Sequence, residues 1–157
     1  MIQAAGYVLD TNVVSETRRP QPHAGVVEFL GLVNPDLLFL SVLTMGELRK
    51  GIAMRRPVDP VFADRLSLWA DDLEAKFADR LLPIDAATAA LWGDLSAHRA
   101  LPVIDTLIAA TALRHGYALV TRNERDVAPT GVPLVNPWKS PSRGARRARP
   151  GRDVPAS

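Results

Sequence analysis

Tyr7-Val8-Leu9-Asp10-Thr11-Asn12 begins with an unbroken apolar run and ends on three polar residues. A strand solvated on one face alternates apolar and polar side chains. A central strand of a parallel sheet, covered on both faces, reads as a continuous apolar run. The run therefore predicts a short buried strand over Tyr7–Asp10, with Asp10 at its carboxyl end. In open α/β sheets that end is where binding crevices form.

Downstream, strand and helix patterns alternate, as in a parallel sheet with helices on its faces. A short helix Val13–Arg18 stops before Pro20 and Pro22, and Val26, Val27, Leu30 and Val33 mark one face of a second helix. Asn34-Pro35-Asp36 is a turn before a strand over Leu37–Ser41. Thr44 is expected to cap a helix that carries Glu47, with Met45, Leu48 and Ile52 turned inward. Beyond Pro57 and Pro60, a long amphipathic helix runs through Val61, Leu66, Trp69, Leu73 and Phe77. Leu81–Ile84 is a brief edge strand, and Asp85 caps an Ala-rich helix over 86–98. Pro102 starts a helix Val103–His115 that Gly116 ends, and strands follow at Leu119–Thr121 and Val132–Val135.

The chain of 157 residues is 47% hydrophobic and has no cysteine, which suits one globular domain and excludes disulfides, thiolate metal sites and a cysteine nucleophile. No apolar run approaches the roughly 18 residues of a membrane span. No basic region or clear cleavage site marks the amino end as a secretion signal, so a cytoplasmic location is expected. The formal charge of +2 is unevenly spread. Lys139, Arg143, Arg146, Arg147, Arg149 and Arg152 against Asp153 give residues 139–157 a charge of +5, which leaves −3 for residues 1–138. The expected division is a folded domain over 1–138 and a basic, disordered tail over 139–157, read as a solvated extension or as an electrostatic arm for nucleic acid.

Four acids stand at or near the ends of apolar runs: Asp10, Glu47, Asp105 and Asp126. Asp10 could serve only to cap the next helix, but Thr11 and Asn12 add more polar groups than capping needs, and a ligand role is favoured. Glu47 alone is weak evidence, because a Glu early in a helix complements the dipole and Arg49 or Lys50 can pair with it. Asp105 lies among Val103, Ile104, Leu107 and Ile108, where an unpartnered carboxylate is costly, so a site role is the better assignment. Asp126 closes the polar cluster Thr121-Arg122-Asn123-Glu124-Arg125-Asp126, which a turn with surface ion pairs explains equally well. Asn123 is nearer the strand end and can face the site instead of Asp126, or beside it. Convergent carboxylates repel one another unless a cation lies between them. The simplest such cation is a divalent metal, and its simplest use is phosphodiester hydrolysis. His23, His98 and His115 have no zinc-ligand spacing, and no Gly-rich phosphate loop or nucleophile elbow is present.

In Val8-Leu9-Asp10-Thr11-Asn12-Val13-Val14-Ser15-Glu16, Leu40-Ser41 through Gly46-Glu47-Leu48-Arg49-Lys50-Gly51, Pro102-Val103-Ile104-Asp105 through Ala112, Val120-Thr121-Arg122-Asn123 through Asp126, and Gly131-Val132 to Asn136-Pro137-Trp138, the chain resembles the PIN-domain ribonucleases, and more narrowly the VapC/FitB-type toxins of bacterial toxin–antitoxin pairs. The resemblance covers residues 7–138. It implies a three-layer α/β/α fold around a central, mostly parallel sheet, and an endoribonuclease dependent on Mg²⁺ or Mn²⁺. Asp10 and Asp105 would be the principal ligands, with Glu47 completing the cluster directly or through a water. Thr11, Asn12 and Asn123 would support them. Many members carry Asp where this chain has Asn123, while others have Asn there and an acid three residues on, the place that Asp126 would take. The loop between His98 and Pro102 is shorter than is usual in such toxins. Arg49, Lys50, Arg122 and Arg125 are candidates for contacting RNA phosphates. The resemblance further implies a homodimer, a structured RNA substrate of the transfer or ribosomal class, and an antitoxin whose carboxyl-terminal segment blocks the acidic pocket with an Arg or Lys. A PIN fold that binds RNA or a partner without cutting is the alternative, which Asn123 permits. A dehalogenase-like phosphatase would need a second acid where Asn12 stands, and a purely structural domain would leave the acids as caps and surface groups.

Overall fold

The computed structural model describes residues 3–139. The tail expected beyond Lys139 lies outside the described residues.

Among the described residues, five strands form one wholly parallel sheet: β1 (Tyr7–Leu9), β2 (Leu38–Ser41), β3 (Leu81–Leu82), β4 (Ala118–Val120) and β5 (Leu134–Val135), in the order β3-β2-β1-β4-β5. β1 is central and fully buried, as its apolar run requires. Its side chains divide between two cores. Tyr7 and Leu9 join Val26, Phe29, Leu40, Ile52 and Ala70 on one face, while Val8 joins Ile108, Ala112, Leu119 and Val132 on the other. The result is a three-layer α/β/α domain. Chain order reverses between β1 and β4, which places a topological switch point at their carboxyl ends.

Among the described residues, seven α-helices connect the strands: α1 (Thr11–Glu16), α2 (Ala24–Leu32), α3 (Val42–Arg55), α4 (Pro60–Lys76), α5 (Ala86–Ser96), α6 (Val103–His115) and α7 (Glu124–Val127). Local chemistry sets their ends. Asp85 caps α5 through the Thr88 amide at 2.9 Å, and Gly116, at φ +70°, closes α6 in the left-handed conformation.

Four expectations need correction. Ser41, not Thr44, caps α3, its Oγ accepting from Leu43 N at 3.1 Å, while Thr44 is fully buried one turn into the helix. β3 is shorter than expected because Pro83 follows it, and β5 starts only after Pro133, since a proline has no amide to donate to a ladder. The polar cluster after β4 contains α7 and is not simply a turn.

The segment after β5 is packed across the start of α2. A Cβ on Gly25 would come within 2.0 Å of the Pro137 carbonyl oxygen, a contact only glycine avoids. Gly25→Ala is therefore expected to cost about 1–3 kcal/mol, the usual penalty of overpacking. That corresponds to a fall of roughly 2–12 °C in the melting midpoint of a domain this size. Gly31→Ala, at a position with nothing within 4 Å of the added carbon, is the control and should be neutral or slightly stabilising. Equal melting curves for the two variants would refute the close packing.

Candidate metal and phosphodiester site

Asp10 leaves β1 at the switch point and caps α1, so the cap and the candidate ligand are one residue. Its amide is tied to Val120 O at 2.9 Å, which fixes the ends of β1 and β4 side by side. The carboxylate is buried, 6% exposed. One oxygen accepts from the Thr11 amide at 2.8 Å. The other accepts from Thr121 Oγ1 at 2.7 Å and from Asn12 Nδ2 at 3.1 Å. Burial raises the Asp10 carboxyl above its ordinary range; the bonds from Thr121 and Thr11 oppose that rise and the nearby Glu47 charge adds to it.

Asp105, in the first turn of α6, is half-buried, and its carboxyl is pushed up to about 6. Desolvation is the main cause, followed by the charges of Asp10, Glu47 and Asp126, while a hydrogen bond from Asn123 works against them. One carboxylate thus feels all three of the others. Glu47 reaches in from α3, its Oε1 accepting from Thr11 Oγ1 at 2.6 Å. It does not pair with Arg49.

Asp126 arrives through α7, unexpected from sequence. Asn123 stands at the amino-terminal boundary of that helix without a side-chain capping bond, and it lies three residues before Asp126, spacing that brings their side chains together. Asn123 Nδ2 donates to Asp126 Oδ2 at 2.7 Å and to Asp105 Oδ2 at 3.3 Å. Asn123 and Asp126 therefore lie side by side, and the amide spends both its protons on bridging acids.

Thr121 is the site residue that sequence reasoning passed over. It is fully buried, and its Oγ1 donates to Asp10 while accepting from Asn123 N at 3.0 Å. The available signal was positional: Thr121 directly follows β4, just as Asp10 directly follows β1.

Among the described residues, no three His, Asp or Glu side chains are already set to hold one ion. The carboxylate oxygens face Thr, Asn and backbone donors instead. The donor set still fits a hard divalent cation. It is all oxygen, without His or Cys, and a small cation such as Mg²⁺ takes only one or two protein carboxylates and keeps its waters.

The candidate phosphate contacts separate into two kinds. Arg49 is committed elsewhere, its guanidinium held by Asp71 at 2.7 Å and Glu74 at 2.9 Å on α4, so its charge is already matched. Lys50 and Arg125 are exposed and have no ion pair among the described residues, and Arg122 lies over the Trp138 ring at 5.6 Å. His23 caps α2 through Nδ1, a structural duty. Among the described residues, no helix is long and apolar enough to cross a membrane.

The PIN domain family matches residues 7–128. The chain is 33% identical over 138 residues to the toxin FitB of Neisseria gonorrhoeae, covering 83% of this chain and 97% of that one. It is 32% identical over 141 residues to the VapC ribonuclease Y4jK of Sinorhizobium fredii, covering 84% and 97%. The crystal structure of FitAcB from Neisseria gonorrhoeae superposes with a TM-score of 0.73 at 33% identity, covering 85% of this chain and 99% of that chain. A buried acid at the β1–β4 switch point, three further acids gathered around it, and these relatives agree: the chain belongs to the PIN-domain family.

Proposed function

We propose that this chain is the toxin of a toxin–antitoxin pair and acts as an endoribonuclease on structured RNA of the transfer or ribosomal class, with Mg²⁺ or Mn²⁺ as its ion. The observation that carries this is the gathering of Asp10, Glu47, Asp105 and Asp126, none of which forms an ion pair among the described residues; desolvation first, and then the charges of its three neighbours, push the Asp105 carboxyl up to about 6. Such an arrangement opposes folding unless a positive group enters it. The relatives called a toxin and a ribonuclease supply the reaction class.

Asp10 and Asp105 would hold the ion, which when bound supplies Lewis acidity toward the scissile phosphate and its attacking water. Glu47, aimed by Thr11, and Asp126, aimed by Asn123, are the groups that orient that water or take its proton. Lys50, Arg122 and Arg125 position the RNA backbone. The partner is a cognate antitoxin whose carboxyl-terminal Arg or Lys enters the acidic pocket, and the assembly contains a homodimer of this chain in the cytoplasm.

Induced expression should arrest growth and leave discrete RNA fragments on a gel, whereas Asp10→Ala should do neither. Purified protein that binds no divalent ion and leaves total RNA intact would sink the proposal. Asn123, where many family members carry an acid, keeps one rival open: a module that binds RNA or a partner without cutting. That rival requires wild type and Asp10→Ala to behave alike.

A further inference from the structure

A cavity of about 350 Å³ opens beside the acids, within the size range of small-molecule sites. Glu47 and Thr11 belong to its wall, so it is continuous with the carboxylate cluster. Its wall also carries Arg18, Arg55, Phe62 and Trp69. The Arg18 guanidinium lies 4.9 Å from the Trp69 ring centroid and 5.7 Å from that of Phe62. Arg55 lies 5.5 Å from the Phe62 centroid, and its nearest carboxylate, Asp59, is 4.0 Å away. Arg18 is half-buried and has no carboxylate within 4.0 Å among the described residues. Each other half-buried arginine among the described residues makes such a pair, Arg49 with Asp71 and Glu74 and Arg80 with Asp79.

We infer that this cavity is a subsite for one nucleotide flanking the bond that is cut, with Arg18, assisted by Arg55, holding its phosphate. The inference rests on the ribonuclease reading of the neighbouring acids. An RNA strand whose scissile phosphate lies at Asp10 and Asp105 reaches this cavity by running past Glu47, whose side chain belongs to its wall. The guanidinium fork matches a phosphate, and its plane, like the exposed part of Phe62, offers a face for a base. An acidic peptide would also meet Arg18, but it would bring further carboxylates against Glu47. A nucleotide brings one negative charge and a flat apolar body.

The test is binding of a fluorescein-labelled, mixed-sequence single-stranded RNA to the full chain in EDTA, followed by anisotropy across a range of KCl. One lost phosphate contact lowers the salt slope by about 0.7, which is a roughly fourfold weaker affinity near 0.15 M salt. Arg18→Gln is expected to show both changes, and Arg18→Lys, which keeps the charge, to restore the slope. Arg55→Gln gives a second reading should Arg18→Gln fail to fold. Unchanged affinity and slope in the folded variants would overturn the subsite. So would loss of an acidic fluorescein-labelled peptide by Arg18→Gln with RNA binding intact, or wild type that binds no RNA. Cleavage of total RNA is scored separately in Mg²⁺. An Arg18-dependent slope without cleavage removes the nuclease reading alone, and cleavage without an Arg18 effect removes the subsite alone.

Discussion

Asp105→Asn should lower RNA cleavage by more than about 100-fold while the chain remains folded and, in chelator, becomes more stable above pH 6. The catalytic figure is a lower bound taken from outer hydrogen-bonding partners, whose loss costs about 10–100-fold; a direct ligand should cost more. The stability effect follows from the direction of the shift. The Asp105 carboxyl ionises near 6 in the folded chain, against 3.8 for the free group. The folded state therefore binds this proton more tightly than the unfolded state does. Its contribution falls as pH rises from about 4 through 6, and the penalty is fully present above 6. Asparagine never ionises and removes that penalty, as well as one repelling neighbour of Asp10. Thermal melts in EDTA should place the variant above wild type at pH 8 and level with it near pH 4. Added Mn²⁺ should reverse the order at pH 8, because only the wild type gains stability from binding it. Coincident melts at pH 8, or retained cleavage, would show that Asp105 is not part of a charged site.

The contrast between Asp105 and Arg49 shows what sequence alone could reveal. Asp105 was legible because α6 is almost wholly apolar or small around it, and a carboxylate there has no cheap structural explanation. Asp10 was legible because it ends an unbroken apolar strand. Arg49 was not, since its partners Asp71 and Glu74 lie on a helix more than twenty residues away, and only the packing of α3 on α4 brings them together. α7 was missed because it is four residues long and entirely polar but for Val127, so it has no periodicity to read. Ser41 displaced Thr44 as the cap of α3 because β2 runs directly into the helix with no intervening loop. That junction brings Glu47 nearly two turns above the end of β2, within reach of Thr11.

Thr121→Val should cost about 10–100-fold in cleavage, acting through Asp10, the proposed ligand to which Thr121 donates. Its hydroxyl donates to Asp10 Oδ2 at 2.7 Å and accepts from Asn123 N at 3.0 Å, so one oxygen couples the end of β1 to the start of α7, which carries Asp126. Valine keeps the shape and deletes the coupling. The half-buried Asn123 amide then loses its acceptor, and a full penalty of about 1–3 kcal/mol for an unsatisfied buried group is the upper bound on that loss. A loss of stability alone does not distinguish a site role from a structural one, but the pH profile does. The Thr121 bond is the largest influence holding the Asp10 carboxyl down against its burial. Removing it raises that carboxyl further, and Asp10 must be ionised to hold a cation. The acidic limb of the activity profile should therefore shift to higher pH in Thr121→Val and return in Thr121→Ser, which restores the hydroxyl. A destabilised variant whose acidic limb does not move would make Thr121 a strut of the fold, leaving the burial of Asp10 opposed by Thr11 and Asn12 alone.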